Sequence, residues 1–320
     1  MYAKALIYKS HTFLIYIVKI SIIAISFYFI YSKLALNDSL SLPEFWSVLK
    51  SSAIISLNSV LFVGLLSVVN WFLEILKWQN LVNAVKSITL KSAIAQTLGS
   101  HTASLFTPNR IGDYGAKALY FPSNLRAKIM GLNGLGNLAQ MCVTTFFGSI
   151  GLIFFTKAFP INFDFKTLHW SRYLIFGLLC MGLILVVKTY LKPETWILKT
   201  KRFLSSISLS LLGKTLLFST LRYLVFSFQF YFLLQLFNID LGYLNTMMII
   251  SSLYLLASIL PSIFIFDVVL KGSIAVYLFS FFNINETIVL SCITLMWLFN
   301  TVLPSVLGSY YVMSFKGPKL

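Results

Sequence analysis

Asp113 and Lys117 stand four residues apart in the stretch FTPNRIGDYGAK, and Arg110 precedes Asp113 by three positions. On a helix, residues i and i+4 are neighbours, so this acid and this lysine can form a local ion pair. The same spacing recurs at Asp267 and Lys271, and each pair follows a proline, Pro108 in one case and Pro261 in the other. A local pair that makes a short half-helix cheaper to bury accounts for both. Arg110 differs, because its planar guanidinium carries five donors in a fork suited to phosphate. It comes directly after Asn109 and close after Pro108, and proline suits the first turn of a helix. That placement leaves the backbone N–H groups of residues 109–112 facing one point, which together with Arg110 makes a modest anion site. Gly112 and Gly115 would let another backbone or an acyl chain come close.

Two further charges sit in apolar surroundings. Glu74 lies in NWFLEILKW and Arg222 lies mid-way through an apolar run. Two environments are open to Glu74. It can belong to an interfacial belt, with Trp71 and Trp78 at headgroup level and Lys77 snorkelling. Alternatively it turns inward and neutralises Arg110 or Lys117. Arg222 can pair with Asp267 across a bundle or reach backbone carbonyls. His101, within QTLGSHTASLFT, is either a hydrogen-bonded structural residue or a proton relay.

The elements that position these groups follow from composition. Of 320 residues, 58% are hydrophobic and 11% charged, where a soluble domain carries about 25% charged residues. The chain therefore reads as an all-α polytopic membrane protein, one transmembrane domain from 1 to 320. Six segments are close to the roughly 20 apolar residues that a bilayer requires: 13–32, 53–76, 129–156, 172–190, 215–237 and 287–313. Two more, 92–122 and 243–282, are apolar but broken by proline, glycine and charge, as re-entrant half-helices or pairs of short spans would be. The first span reads as a retained signal anchor. Cys142, Cys180 and Cys292 all fall in apolar segments and suggest neither disulfides nor a metal site.

The net charge of +16 is explained by loops facing anionic headgroups rather than by nucleic acid. With the N-terminus inside, seventeen Lys and Arg fall in inner connections and five in outer ones, which places both termini in the cytoplasm. The order of elements also repeats, with a first unit over about 1–160 and a second over about 170–320. An odd number of crossings per unit makes the second inverted. Inverted repeats with broken helices are a transporter architecture that binds substrate at the repeat interface.

The stretch TPNRIGDYGAKALYF, preceded by NWFLEILKWQNLV and followed by LAQMCVTTFFGSIGLI, resembles the lysylphosphatidylglycerol synthase transmembrane (flippase-domain) family. Pro108, Arg110, Gly112 and Asp113 match the family's turn, although Asp113 stands where glutamate is more usual. LPSIFIFDVVLKG in the second half lacks the glycine-rich turn that many members show there. The resemblance implies a bacterial inner-membrane protein that moves phospholipids between leaflets, without the separate soluble synthase domain. Three functions follow from the residues. The first is a translocator of lipid or lipid-linked substrates, with Arg110, Asp113, Lys117, Glu74, Asn109, Arg222, Asp267 and Lys271 as the candidate headgroup site. It needs no cofactor, and movement is downhill or driven by an ion gradient. LLGKT at 211–215 looks like the end of a P-loop, but Ser208 occupies the place of the first glycine. The second function is a membrane enzyme with Asp38 or Glu44 as base, against which stands the absence of a DxD pair or a Ser–His–Asp set. The third is an assembly subunit in which buried charges only fix packing. The sequence leaves the oligomeric state open.

Overall fold

Hydrocarbon offers no hydrogen bonds, so a spanning backbone must satisfy its own N–H and C=O groups. The chain meets this demand with helices. The computed structural model describes residues 17–21, 23–25, 28, 42–50, 52–105, 107, 110–159, 203, 205, 207–259 and 267–317. Among these there is no strand, and the protein is all-α. In chain order the helices are α1 (Leu42–Lys50), α2 (Leu57–Asn83), α3 (Leu90–Ser104), α4 (Gly112–Ala118), α5 (Ser123–Ala158), α6 (Leu209–Leu236), α7 (Tyr243–Ile259), α8 (Asp267–Ser280), α9 (Glu286–Trp297) and α10 (Leu303–Met313). A π-helical segment, Leu298–Val302, joins α9 to α10. Side-chain oxygens start several of them. Ser56, Thr89 and Ser208 accept from the N–H three residues on, as N-caps do.

Among the described residues, α2, α5, α6 and the continuous run Glu286–Met313 are long and apolar enough to cross a membrane. They lie where the sequence suggests spans, but their limits differ. The helix expected over 53–76 runs on to Asn83, so Lys77 and Trp78 are inside it. The segment 92–122 divides into α3 and α4, and 243–282 divides into α7 and α8. Tyr120, after α4, donates its hydroxyl to the Ala95 carbonyl near the start of α3 (3.2 Å), so α3 and α4 form a hairpin. At about 1.5 Å per residue the two arms are unequal, roughly 22 and 10 Å. The span over 172–190 lies outside the described residues, and that over 13–32 is described only in part. There Lys19 donates to the carbonyls of Met313 (2.9 Å) and Phe315 (2.6 Å), so a cation in an apolar run covers the free carbonyls at the end of α10. Ser208 caps α6 and LLGKT is part of that helix, so it builds no phosphate loop.

Packing joins the two halves of the chain. α2 runs antiparallel to α6: Gln229 reaches Val63 and Ser67, while Arg222 reaches Asn70 and Glu74. α3 packs on α10, and α5 packs on α7. Displacing α2 onto α6 by 152 residues superposes their buried faces: Val63 on Thr215, Ser67 on Ser219, Trp71 on Tyr223, Trp78 on Phe230, Leu81 on Leu233. The other pairs follow the same exchange. A Cβ on Gly308 of α10 would collide with the Leu98 carbonyl and with Thr102 of α3. A Cβ on Gly148 of α5 would meet the Ser251 carbonyl at 2.9 Å and collide with Leu255 of α7. Leu98 and Thr102 precede Ser251 and Leu255 by 153 residues each, one more than the displacement of α2 onto α6. Two glycines therefore admit a neighbouring backbone at corresponding places, the close approach that small residues permit between membrane helices.

Two apolar clusters result. One centres on Trp78, Leu81, Val82, Ile129 and Leu132; the other centres on Phe230, Leu233, Leu234, Ile249 and Phe279. Between them, where α2 crosses α6, the side chains become polar.

Candidate functional site

On α2, Ser67, Asn70, Glu74 and Lys77 follow one another at intervals of three, four and three residues. That spacing is one helical face, and all four are buried. From α6, Arg222 places Nη1 2.7 Å from Glu74 Oε2 and donates Nε–H to Asn70 Oδ1 (3.1 Å). Lys77 Nζ lies 2.7 Å from the same Glu74 oxygen. One carboxylate oxygen thus serves two cations. The Lys77 side chain is 3% exposed, that of Glu74 12%, and that of Arg222 23%, so the cluster opens on the Arg222 side. The guanidinium also lies over the Trp71 ring, 6.0 Å from its centroid.

A second pair abuts this one. Asp113 accepts from Ser100 Oγ (2.6 Å), Asn133 Nδ2 (2.8 Å) and Lys117 Nζ (3.0 Å). Lys117 also donates to Asn133 Oδ1 (2.8 Å) and sits 4.6 Å over the Trp78 ring. Trp78 in turn donates to Gln96 (2.8 Å). The i,i+4 pair expected from sequence is therefore present. It is held by α3 and α5 as well as by its own short helix.

Above Arg222 the network becomes neutral. Asn70 donates to Asn300 Oδ1 (2.9 Å), Asn300 donates to Gln229 Oε1 (2.8 Å), and Gln229 donates to Ser67 Oγ (2.7 Å). Asn300 belongs to the π segment. Such a widened turn alters which carbonyls its own helix can use, and here two accept from outside it. Trp71 Nε1 donates to the Asn300 carbonyl (3.1 Å), and His101 Nε2 lies 3.3 Å from the Thr301 carbonyl. A carbonyl only accepts, so the His101 proton is on Nε2. His101 packs edge-on against Trp71, with centroids 4.6 Å apart, in a structural setting.

Several expectations need correction. Arg222 pairs with Glu74, because the antiparallel α2–α6 crossing brings those two residues together. Glu74 does turn inward, but its ion pairs are with Lys77 and Arg222 rather than Arg110 or Lys117, and Trp71 and Trp78 are buried in the bundle. Two of the N–H groups in the proposed nest are taken up. Gly112 N–H donates to Thr107 Oγ1 (3.0 Å), and Arg110 N–H donates to the Thr107 carbonyl (3.1 Å). Thr107, not an acyl chain, fills the space beside Gly112. Arg110 itself is exposed at the turn, with a left-handed backbone (φ 54°). Pro108 and Asn109 lie outside the described residues. Asp267 begins α8, and its side chain lies outside the described residues; Lys271, one turn on, is exposed. Lys77 and Lys117 are buried in the bundle rather than lying in connections.

The polar partners Asn70, Asn133, Gln229 and Asn300 were missed in the sequence. For α2 the signal was present, since polar residues at intervals of three and four within an apolar span mark an inward face. Among the described residues, Lys77, Lys117 and Arg222 face Glu74 and Asp113, which leaves one surplus positive charge in this set. A site of that kind can take an oxyanion. No protein-family model matches the chain, and no curated protein matches it.

Proposed function

We propose that this protein translocates membrane lipids or lipid-linked substrates, holding the headgroup where two inverted halves of the chain meet. The observation that carries the reading is the sharing of one Glu74 oxygen by Lys77 and Arg222 at the α2–α6 crossing. Buried ion pairs of unequal charge are costly, and a phosphate-bearing headgroup supplies the missing negative charge. The exchange of packing partners between the halves supports an inverted repeat over about 1–160 and 170–320. The resemblance to the lysylphosphatidylglycerol synthase transmembrane (flippase-domain) family agrees with a bacterial inner-membrane carrier. In this reading the protein spans the bilayer about six times with two re-entrant hairpins, both termini are cytoplasmic, and transport is downhill or coupled to an ion gradient. Acyl chains stay in lipid while the headgroup passes through the polar layer, and no catalytic residue or cofactor is required.

The test is reconstitution of the purified protein in liposomes containing labelled phospholipids whose leaflet can be read. Protein-dependent exchange of an anionic or aminoacylated lipid is the expected result. Exchange no faster than in empty vesicles for every anionic, zwitterionic and aminoacylated lipid tried would refute the reading.

A further inference from the structure

The α2–α6 crossing contains two versions of one junction. In the outer version, Gln229, Asn300, Asn70 and Ser67 join in an unbroken chain of hydrogen bonds without any charge. Displacing that junction by the 152 residues that superpose α2 on α6 exchanges Gln229 for Lys77, Asn70 for Arg222 and Ser67 for Ser219. In this inner version the bonding is incomplete. Ser219 is fully buried, and its Oγ has no hydrogen-bond partner. Lys77 Nζ has only its ion contact with Glu74, although an ammonium carries three donors. Gln140 of α5 enters the same junction by donating weakly to the Ser219 carbonyl (3.4 Å), and its Oε1 is buried without a partner. Gly136, one turn earlier, faces Lys77 Cε.

From this comparison we infer that Glu74 Oε2 is a built-in stand-in for the oxygen of a phosphodiester monoanion, which binds between Lys77 and Arg222 with Ser219 as a further donor. This rests on the translocator reading and specifies its ligand. The seat needs no empty cavity, because the carboxylate fills it until the headgroup arrives from the exposed Arg222 side. Charge sets the class of ligand. Lys77, Arg222 and Lys117 against Glu74 and Asp113 are neutralised by one negative charge and not by two. A phosphodiester therefore fits better than a phosphomonoester dianion. An ammonium-bearing headgroup gains no free acid here, since both carboxylates are engaged by lysines.

Binding to the full-length protein in detergent tests this apart from transport. The probes are dihexanoyl phosphatidylglycerol, dihexanoyl phosphatidic acid, dihexanoyl phosphatidylcholine and deacylated glycerophosphoglycerol, titrated by calorimetry. Wild-type protein is expected to bind one phosphatidylglycerol about tenfold more tightly than either of the other two lipids. Glu74→Gln, which removes the competing charge, is expected to tighten that binding about tenfold. Glycerophosphoglycerol that binds as well as its acylated form identifies a free phosphodiester as the ligand, and much weaker binding identifies the lipid. Equal affinity for the three lipids, which needs no variant, overturns the inference, as does unchanged or weakened binding in a folded Glu74→Gln protein. If vesicles show no lipid exchange while these affinities hold, the translocator reading fails and the site stands. If exchange occurs with no charge preference in binding, the reverse is true.

Discussion

Lys77 and Arg222 reach the same oxygen of Glu74 from two different helices, each at 2.7 Å. The contact fixes the register of α2 against α6 and joins the two halves of the chain through a carboxylate that cannot neutralise both cations. Two consequences follow. The crossing is joined by hydrogen bonds in its neutral outer part, and among the described residues it is short of negative charge in its inner part.

The Asp113–Lys117 pair is expected to act as a unit. Either Asp113→Asn or Lys117→Met alone leaves one buried charge unpaired, at a cost of about 3 kcal/mol. The double variant should recover at least about 1 kcal/mol of the summed loss. Thermal or denaturant unfolding in detergent measures the cycle, and strictly additive losses would show that the pair is not coupled.

Helix approach at the two matched glycines is expected to be intolerant of side chains. Gly308→Val and Gly148→Val push against the Leu98 and Ser251 carbonyls and should each destabilise by about 1–3 kcal/mol through overpacking. Gly213→Ala is the control. Its position in α6 meets open space, and the better helix former should add up to about 1 kcal/mol. Melting temperatures of the three proteins decide this.

The outer junction is expected to serve stability rather than ligand binding. Asn300→Leu removes the partners of Asn70 Nδ2 and Gln229 Oε1, and orphaned buried polar groups of this kind cost about 2 kcal/mol. Its affinity for dihexanoyl phosphatidylglycerol should stay within about threefold of wild type. Calorimetry beside a melting curve separates the two effects.

Sidedness is expected to follow the basic residues. In a protein whose native cysteines are replaced, Asp38→Cys should react with an impermeant thiol reagent from outside, and Thr200→Cys only after the inner face is exposed. The opposite pattern would invert the orientation.

Much of the fold was legible because apolar length and breaks are local properties. Pro108 and the charges after it announced a break, and α3 and α4 meet there; Asp113 and Lys117 announced their own pairing by their spacing. Other features depend on which helix lies opposite, and no spacing within one helix records that. Arg222 meets an acid on α2, Glu74, because α2 and α6 cross antiparallel. The helix through Lys77 ran two turns beyond the expected span, and a lysine taken for a snorkelling residue became a buried one. The π segment at Asn300 left no mark in hydropathy, since it redirects carbonyls without changing apolar content. Arg110 looked the best anion ligand on chemistry alone, yet Thr107 takes up the N–H groups of Arg110 and Gly112 at its turn.

The most direct test of the account is the protein-dependent rate of leaflet exchange of labelled phosphatidylglycerol in liposomes carrying equal amounts of wild-type or Lys77→Met protein. The account predicts a wild-type rate well above that of empty vesicles. Lys77→Met should lower it at least about thirtyfold, the loss expected when one member of a buried charge pair is truncated, while the protein stays folded by its melting curve. A wild-type rate equal to the empty-vesicle rate, or a folded Lys77→Met protein as fast as wild type, would contradict it.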